Sequence, residues 1–205
     1  MSDHLPQRPP LFIDFTSGAV EHRRRFGGGR GQALARAVGM KPGVTPAIVD
    51  ATAGLGRDSF LLASLGAEVT MIERNDAIHA LLPDALARAH DAGGVYRDIV
   101  GRMRLLHGDA IRLLPTLAPA VVLVDPMHPP RGKSAFVKAE MRQVRSIVGT
   151  DDDKVMLITA AIAAATKRAV VKWPAKLPLP AGVPTASHQI AGKTTRYDVF
   201  MRHRD

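Results

Sequence analysis

Hydrophobic positions along the 205 residues change period in a regular order. Ile48-Val49 is a short apolar run leading into Asp50, followed by small residues that include Gly54 and Gly56. Leu61, Leu62 and Leu65 then recur at helical spacing behind Arg57–Ser59, and Gly66 is placed to cap that helix. Glu68-Val69-Thr70-Met71-Ile72 reads as a second strand and ends in Glu73. Asn75 or Asp76 caps a helix expected to run through about His90, with Ile78, Leu81, Leu82, Leu86 and Ala89 on its apolar stripe and a kink at Pro83. Residues 91–101 read as a loop. Met103–His107 is a third strand, and Ala120-Val121-Val122-Leu123-Val124 is apolar throughout, as a central strand buried on both faces must be.

The remaining elements follow the same alternation. Asp151–Asp153 begin an acid-capped helix through Ala165, and Arg168–Pro174 is a fifth strand. Residues 174–185 carry four prolines and predict an irregular excursion, after which His188–Ala191 and Arg196–His203 form a terminal antiparallel hairpin. Near the start, Leu11–Phe15 reads as a short strand and His22–Gln32 as a flexible basic loop. A short helix from Gln32 to Val38 then ends at Gly39. The order predicts an α/β protein with a doubly wound, mostly parallel sheet and a C-terminal antiparallel hairpin. Residues 1–44 form an N-terminal arm with a basic Gly-rich loop and short helix, and residues 45–205 form one catalytic domain.

Strand, glycine turn, helix, strand and acid make a nucleotide-binding βαβ unit, in which Asp50, Gly54 and Gly56 shape the loop and Glu73 takes a ribose diol. A dinucleotide fold normally has a third glycine and sets pyrophosphate on the helix N-terminus. Here Ser59 stands in that place, and Asp58 in the first helical turn repels a pyrophosphate but suits the ammonium of an amino acid. S-adenosyl-L-methionine carries such an ammonium, an adenosine and no phosphate, and is the expected cofactor. Asp109, after the third strand, either accepts from an adenine amino group or is a satisfied loop aspartate.

The central strand ends in Asp125-Pro126-Met127-His128-Pro129-Pro130, at the edge where open α/β sheets bind ligands. A carboxylate and a backbone carbonyl that accept both N–H bonds of an exocyclic amine orient its nitrogen for methylation and stabilise the charge that develops. Asp125 and the Pro126 carbonyl suit that role, and His128 suits stacking on the base. No Ser-His-Asp arrangement, phosphate loop or metal-like histidine pairing stands out.

Composition narrows the partners. Cysteine is absent, which removes disulfides, thiolate nucleophiles and cysteine-based zinc sites together. No apolar run approaches the ~18 residues of a membrane span, so a cytoplasmic protein without membrane or metal partners is expected. The net charge of +9 reflects either a basic solvated surface or a polyanionic partner. Two segments cluster the charge: Arg23, Arg24, Arg25 and Arg30 in the Gly-rich loop, and Lys133, Lys138, Arg142 and Arg145, the last three at helical spacing on one face.

Together, His22-Arg23-Arg24 with Phe26–Gly29 and Gly31-Gln32, Asp50–Asp58, Glu73-Arg74-Asn75, Asp125-Pro126-Met127, Lys133-Ser134-Ala135, Val137-Lys138 and Glu140-Met141-Arg142 resemble the ribosomal RNA small subunit methyltransferase J family. The resemblance runs from about Val20 to the terminal hairpin. It implies a class I methyltransferase (Rossmann-like) fold and methylation of guanine N2 in 16S rRNA, as naked RNA or in the small ribosomal subunit. It also implies cofactor contacts at Arg57-Asp58, Glu73-Arg74, Asp109-Ala110 and Asp125. Departures from the family are a mostly absent N-terminal region, His128 where an aromatic ring is usual, and Gly108-Asp109-Ala110 in place of a Ser-rich segment. Other readings of the same site are an amino methyltransferase for adenine N6 or protein glutamine, an NAD(P)-dependent oxidoreductase with Arg74 on a 2′-phosphate, and a non-catalytic RNA-binding protein.

Overall fold

The computed structural model describes residues 11–126, 153–192 and 194–202. Among them a seven-stranded sheet runs in the order β3-β2-β1-β4-β5-β7-β6, from β1 (Ile48–Asp50), β2 (Val69–Glu73), β3 (Met103–His107), β4 (Val121–Val124), β5 (Arg168–Pro174), β6 (His188–Ala191) and β7 (Thr195–Met201). Strands β1 to β5 are parallel, and β7 inserts antiparallel between β5 and β6. This is the doubly wound, Rossmann-like arrangement of class I methyltransferases, with a switch point between β1 and β4. Ligands of open α/β sheets bind outside the C-terminal ends of strands at such a point.

Both sheet faces are covered. Ile48, Val69, Met71, Val121, Leu123, Val170, Tyr197 and Val199 share one core with α1 (Gly18–Phe26), α2 (Ala33–Ala37), α3 (Arg57–Ser64), α5 (Leu82–Asp91) and α6 (Gly94–Val100). Val49, Ile72, Val122, Val124, Val171, Trp173 and Phe200 pack on the other face against α7 (Ala110–Leu117) and α8 (Lys154–Ala164). Because side chains alternate across a strand, Asp50, Asp125 and Lys172 all fall on the first face, at the C-terminal edge.

Four local expectations are corrected. Leu11–Phe15 is not a strand: Leu11, Ile13 and Phe15 are buried, but they run as extended chain beneath α3, where the Phe15 ring stacks on Phe60 at 4.9 Å between centroids. Their alternation reports one-sided burial without a ladder. His22–Phe26 belongs to α1, because Arg24 and Arg25 reach back to Glu21 at i,i+3 and i,i+4 and stabilise the helix. The helix at 76–90 is two helices, α4 (Asp76–His79) capped by Asn75 and α5, with Pro83 in the first turn of the second; proline is tolerated there and does not kink it. Residues 94–100 form α6, entered through Gly93 and Gly94, both at positive φ, where a loop is expected from the sequence.

The glycine turn requires its glycines for different reasons. Gly56 precedes α3 at φ +70°, and a Cβ there stands 2.9 Å from Phe15 Cζ. Gly54 lies at φ +52°, but a Cβ meets nothing closer than 3.9 Å. Gly56→Ala is therefore expected to destabilise the fold by about 2–4 kcal/mol, through left-handed strain and overpacking together. Gly54→Ala is expected to lose only the strain contribution, about 1–2 kcal/mol. Urea midpoints of the two variants check this, and equal losses would contradict the contact with Phe15.

Candidate active site

The end of β1 and the start of α3 are locked together by one buried carboxylate. Asp50 accepts the Ser59 hydroxyl at 2.6 Å and the Thr52 N–H at 3.1 Å. Ser59, where a dinucleotide fold has its third glycine, is fully buried and fastens the helix to the strand. Thr52 Oγ1 in turn accepts the Asp125 N–H at 2.7 Å, which fixes the end of β4 against the glycine turn.

Glu73, at the end of β2, is buried and accepts the Gly54 N–H and the Asn75 N–H, each at 2.8 Å. It therefore holds the glycine turn in shape from the end of β2. Asp109 caps α7, its Oδ1 accepting the Ile111 N–H at 2.9 Å, and Ala110 follows it, buried. Arg74 pairs with Asp153 ahead of α8 and so ties the end of β2 to the start of that helix.

A cavity of about 230 Å³ lies at the switch point, lined by Arg23, Asp50, Gly54, Arg57, Asp58 and Asp125 together with Lys172. Lys172 was not singled out by the sequence motifs. Its Nζ donates to Asp58 Oδ2 at 2.8 Å and to Asp125 Oδ2 at 2.7 Å, so one ammonium bridges the helix start and the end of β4. Arg23, from α1, pairs with the other oxygen of Asp58. The sequence does carry a signal: Lys172 is the charged residue in the interior of an otherwise apolar strand, at the parity of Val170 and one strand from Asp125.

The charges are strongly coupled. Burial works to raise the Asp58 carboxyl, but the Lys172 ammonium and Arg23 guanidinium outweigh it and lower it to about 2. Burial works to lower Lys172, yet the two carboxylates hold it above the ordinary lysine range. Asp50 goes the other way: burial pushes it up to about 7, against the Ser59 and Thr52 hydrogen bonds and with help from the negative Asp58 and Asp125. With Asp50 protonated, Asp58 and Asp125 balance Lys172 and Arg23.

The Asp50 shift has a measurable consequence for stability. Between its ordinary value of 3.8 and about 7 the folded chain holds a proton that the unfolded chain has released. Its contribution to stability therefore falls as pH rises through that window and levels off above it, with a slope of about 1.4 kcal/mol per pH unit for one proton. Asp50→Asn, which mimics the protonated form, is expected to flatten that part of the stability profile. Chemical unfolding at pH 4.5 to 7.5 checks it; an unchanged slope in the variant would contradict the assignment.

The structure places the other expected residues unevenly. Asp50, Gly54, Arg57, Asp58 and Asp125 line the cavity, and Pro126 is buried beside it in sequence. Gly56 begins α3 behind it. Of the basic loop, Arg23 walls the cavity, whereas Arg24 lies 5.8 Å over the Tyr96 ring and pairs with Glu21, as does Arg25. Arg24 is the main reason the Glu21 carboxyl is lowered to about 2. Arg30 donates to the Lys41, Val44 and Leu65 carbonyls and the Thr45 hydroxyl, clasping the chain ahead of β1. His128, Lys133, Lys138, Arg142 and Arg145 lie outside the described residues.

These residues fit S-adenosylmethionine rather than a dinucleotide. A buried acid ends β2 against the glycine turn, and a second, Asp58, occupies the first turn of α3, where a pyrophosphate would have to sit. Asp58 is held by two cations already, so an incoming ammonium would join a mixed-charge cluster rather than meet a lone carboxylate. The cations Arg23, Arg57 and Lys172 suit the carboxylate of an amino acid. Among the described residues no group of His, Asp or Glu could hold a metal ion, and no helix is long and apolar enough to cross a membrane.

Comparison with known proteins agrees with this arrangement. The family model for SAM-dependent methyltransferases matches residues 2–202. A ribosomal RNA small subunit methyltransferase J from Brucella anthropi is 61% identical over 192 residues, covering 94% of each chain. One from Agrobacterium fabrum is 58% identical, covering 95% of this chain and 94% of its own. The chain thus spans nearly the whole length of both relatives. A crystal structure of a SAM-dependent methyltransferase from Neisseria gonorrhoeae is 38% identical, covers 96% of this chain and 76% of that one, and superposes with a TM-score of 0.75.

Proposed function

Since the chain belongs to the ribosomal RNA small subunit methyltransferase J family and uses S-adenosylmethionine, we propose that it methylates the exocyclic N2 amine of a guanosine in small-subunit rRNA, with Asp125 at the point of transfer. The observation that carries this reading is the placement of Asp125. It ends a fully buried central strand at the switch point, its backbone is fixed by Thr52, and its carboxylate faces the cavity from the parity of Asp50 and Lys172.

Bound in the crevice, S-adenosylmethionine supplies an electrophilic methyl group. Glu73 takes the ribose diol, Asp109 and Ala110 border the base, and the Arg23, Arg57, Asp58 and Lys172 cluster receives the amino-acid end. Arg74 stays with Asp153 at the rim. The Asp125 carboxylate and the Pro126 carbonyl accept the two N–H bonds of the guanine amine and aim its lone pair into the cavity. As the N–C bond forms, the sulfonium's S–C bond would break and its electron pair would stay on sulfur as a neutral thioether, while the negative Asp125 carboxylate offsets the positive charge growing on nitrogen until the surplus amine proton is lost to solvent. The surface around Arg23, with the segment carrying Lys133, Lys138 and Arg142, meets the phosphates; contacts of this kind add affinity without reading sequence. His128 stacks on the base.

The amine is the shared feature of the adenine N6 and glutamine readings, and the relatives' names favour the ribosomal one. The experiment is transfer from methyl-labelled S-adenosylmethionine to undermethylated small-subunit particles, to free small-subunit rRNA and to a protein extract without RNA. Label in RNA is expected; label in protein alone would overturn the proposal.

A further inference from the structure

Lys172 bridges the two carboxylates Asp58 and Asp125, and neither the glycine turn nor the Asp-Pro segment accounts for it. It contacts both carboxylates through a single nitrogen, with side-chain exposure of 25%, against 13% for Asp58 and 35% for Asp125. We infer that Lys172 is a positioning residue for methyl transfer: its ammonium holds the Asp125 carboxylate ionised and oriented at the acceptor end while sharing Asp58 with Arg23 at the amino-acid end. The inference rests on the proposed role of Asp125.

Three arguments lead there. First, a flexible lysine buried at this depth costs rotamer entropy and desolvation that only specific partners offset; here it has two, at 2.7 and 2.8 Å. Second, Asp125 shares its cavity with Asp50 and Asp58, and like charges favour protonation of one of them. The groups turned toward the cluster are Asp50 from β1, Asp125 from β4, Asp58 and Arg57 from α3, Arg23 from α1 and Tyr197 from β7. The hydrogen bonds of Lys172 join Asp58 to Asp125. Third, an ionised carboxylate accepts on both oxygens and offsets positive charge growing on the amine, whereas a protonated one turns one oxygen into a donor and carries no charge. An ammonium on one oxygen leaves a carboxylate with lone pairs for further donors, so the ion pair is compatible with substrate contact.

The division of labour separates Lys172 from a purely structural ion pair. Loss of Lys172 removes one of three cations at the amino-acid end, but Arg23 and Arg57 remain, so cofactor affinity is expected to fall by about tenfold at most. Asp125 loses the ammonium on its Oδ2, so its orientation suffers at every pH and its ionisation at low pH, and the rate is expected to fall by about tenfold at neutral pH and by more toward pH 5.5.

The test compares Lys172→Met, Lys172→Gln and Lys172→Arg with the native chain. Cofactor affinity is read by calorimetry, single-turnover transfer at saturating cofactor and RNA from pH 5.5 to 9.5, and the Asp125 carboxyl by carbon-13 NMR. The two neutral variants are expected to lose rate chiefly at low pH, with the acid limb of the profile and the Asp125 titration both moved upward by about one unit or more. Arginine restores most of both. Lys172→Gln keeps a hydrogen-bonding group and serves if the methionine variant does not fold. A folded neutral variant with native rate and native acid limb would overturn the inference, as would a rate loss equal at every pH that tracks cofactor affinity. If the native protein transfers no methyl to RNA, the functional reading fails. The Asp125 titration, which needs no substrate, then decides on Lys172 alone: an upward shift supports its hold on the carboxylate, and no shift overturns it.

Discussion

Asp125→Ala is expected to reduce single-turnover methyl transfer by about 10²–10⁴-fold at saturating S-adenosylmethionine and RNA, with the chain still folded. The variant removes the acceptor that orients the amine and the charge that offsets the nitrogen's. Lys172 keeps Asp58 as a partner, so the change does not strand an unpaired buried ammonium. The fixed backbone at this position is held by Thr52 through the Asp125 N–H, which alanine retains. Cofactor affinity weakens far less than the rate falls. Rapid-quench kinetics with a parallel calorimetric titration separate the two effects, and a rate within a few-fold of native would remove Asp125 from the chemistry.

Glu73→Ala has the next largest expected effect, and on binding rather than rate. A charge-assisted contact to a ribose diol is worth about 1.5–3 kcal/mol, which converts to roughly ten- to a hundredfold in the dissociation constant. The buried carboxylate also accepts the Gly54 and Asn75 N–H groups, so its loss leaves two backbone donors without their partner and loosens the turn. Glu73→Gln keeps an acceptor oxygen and is expected to lose less. Calorimetric titration with S-adenosylmethionine checks both variants; an unchanged constant for the alanine variant would sink the ribose assignment.

How far these sites can be read in the sequence depends on whether their chemistry is local. Asp50 to Glu73 is one continuous βαβ unit, so glycines, apolar spacing and terminal acid are legible together. Asp125 is legible because an apolar strand ending in a carboxylate is a local pattern. Lys172 lies 47 residues further on. Its meaning depends on β5 lying next to β4 with matching parity, which no local spacing encodes. Asp58, the partner of Arg23, is 35 residues away, and those of Arg30 lie 11 to 35 residues away, equally out of reach of a local pattern. A run of arginines reads as solvent-facing charge, whereas Arg30 is spent on holding the chain ahead of β1 and Arg23 on Asp58. Helix α1 was missed for a related reason: its stability comes partly from Glu21 pairing with Arg24 and Arg25, and the glycines after Phe26 suggest a loop. At Leu11–Phe15 the alternation was legible, but burial against α3 rather than pairing with a strand produced it.

The most direct measurement is mass-spectrometric mapping of modified nucleosides in small-subunit rRNA from cells lacking this chain, from cells with it restored, and from cells carrying Asp125→Ala. One N2-methylguanosine is expected to be missing in the first, present in the second and missing again in the third. An unchanged N2-methylguanosine complement, or the loss of a different methylated nucleoside, would contradict guanine N2 as the acceptor.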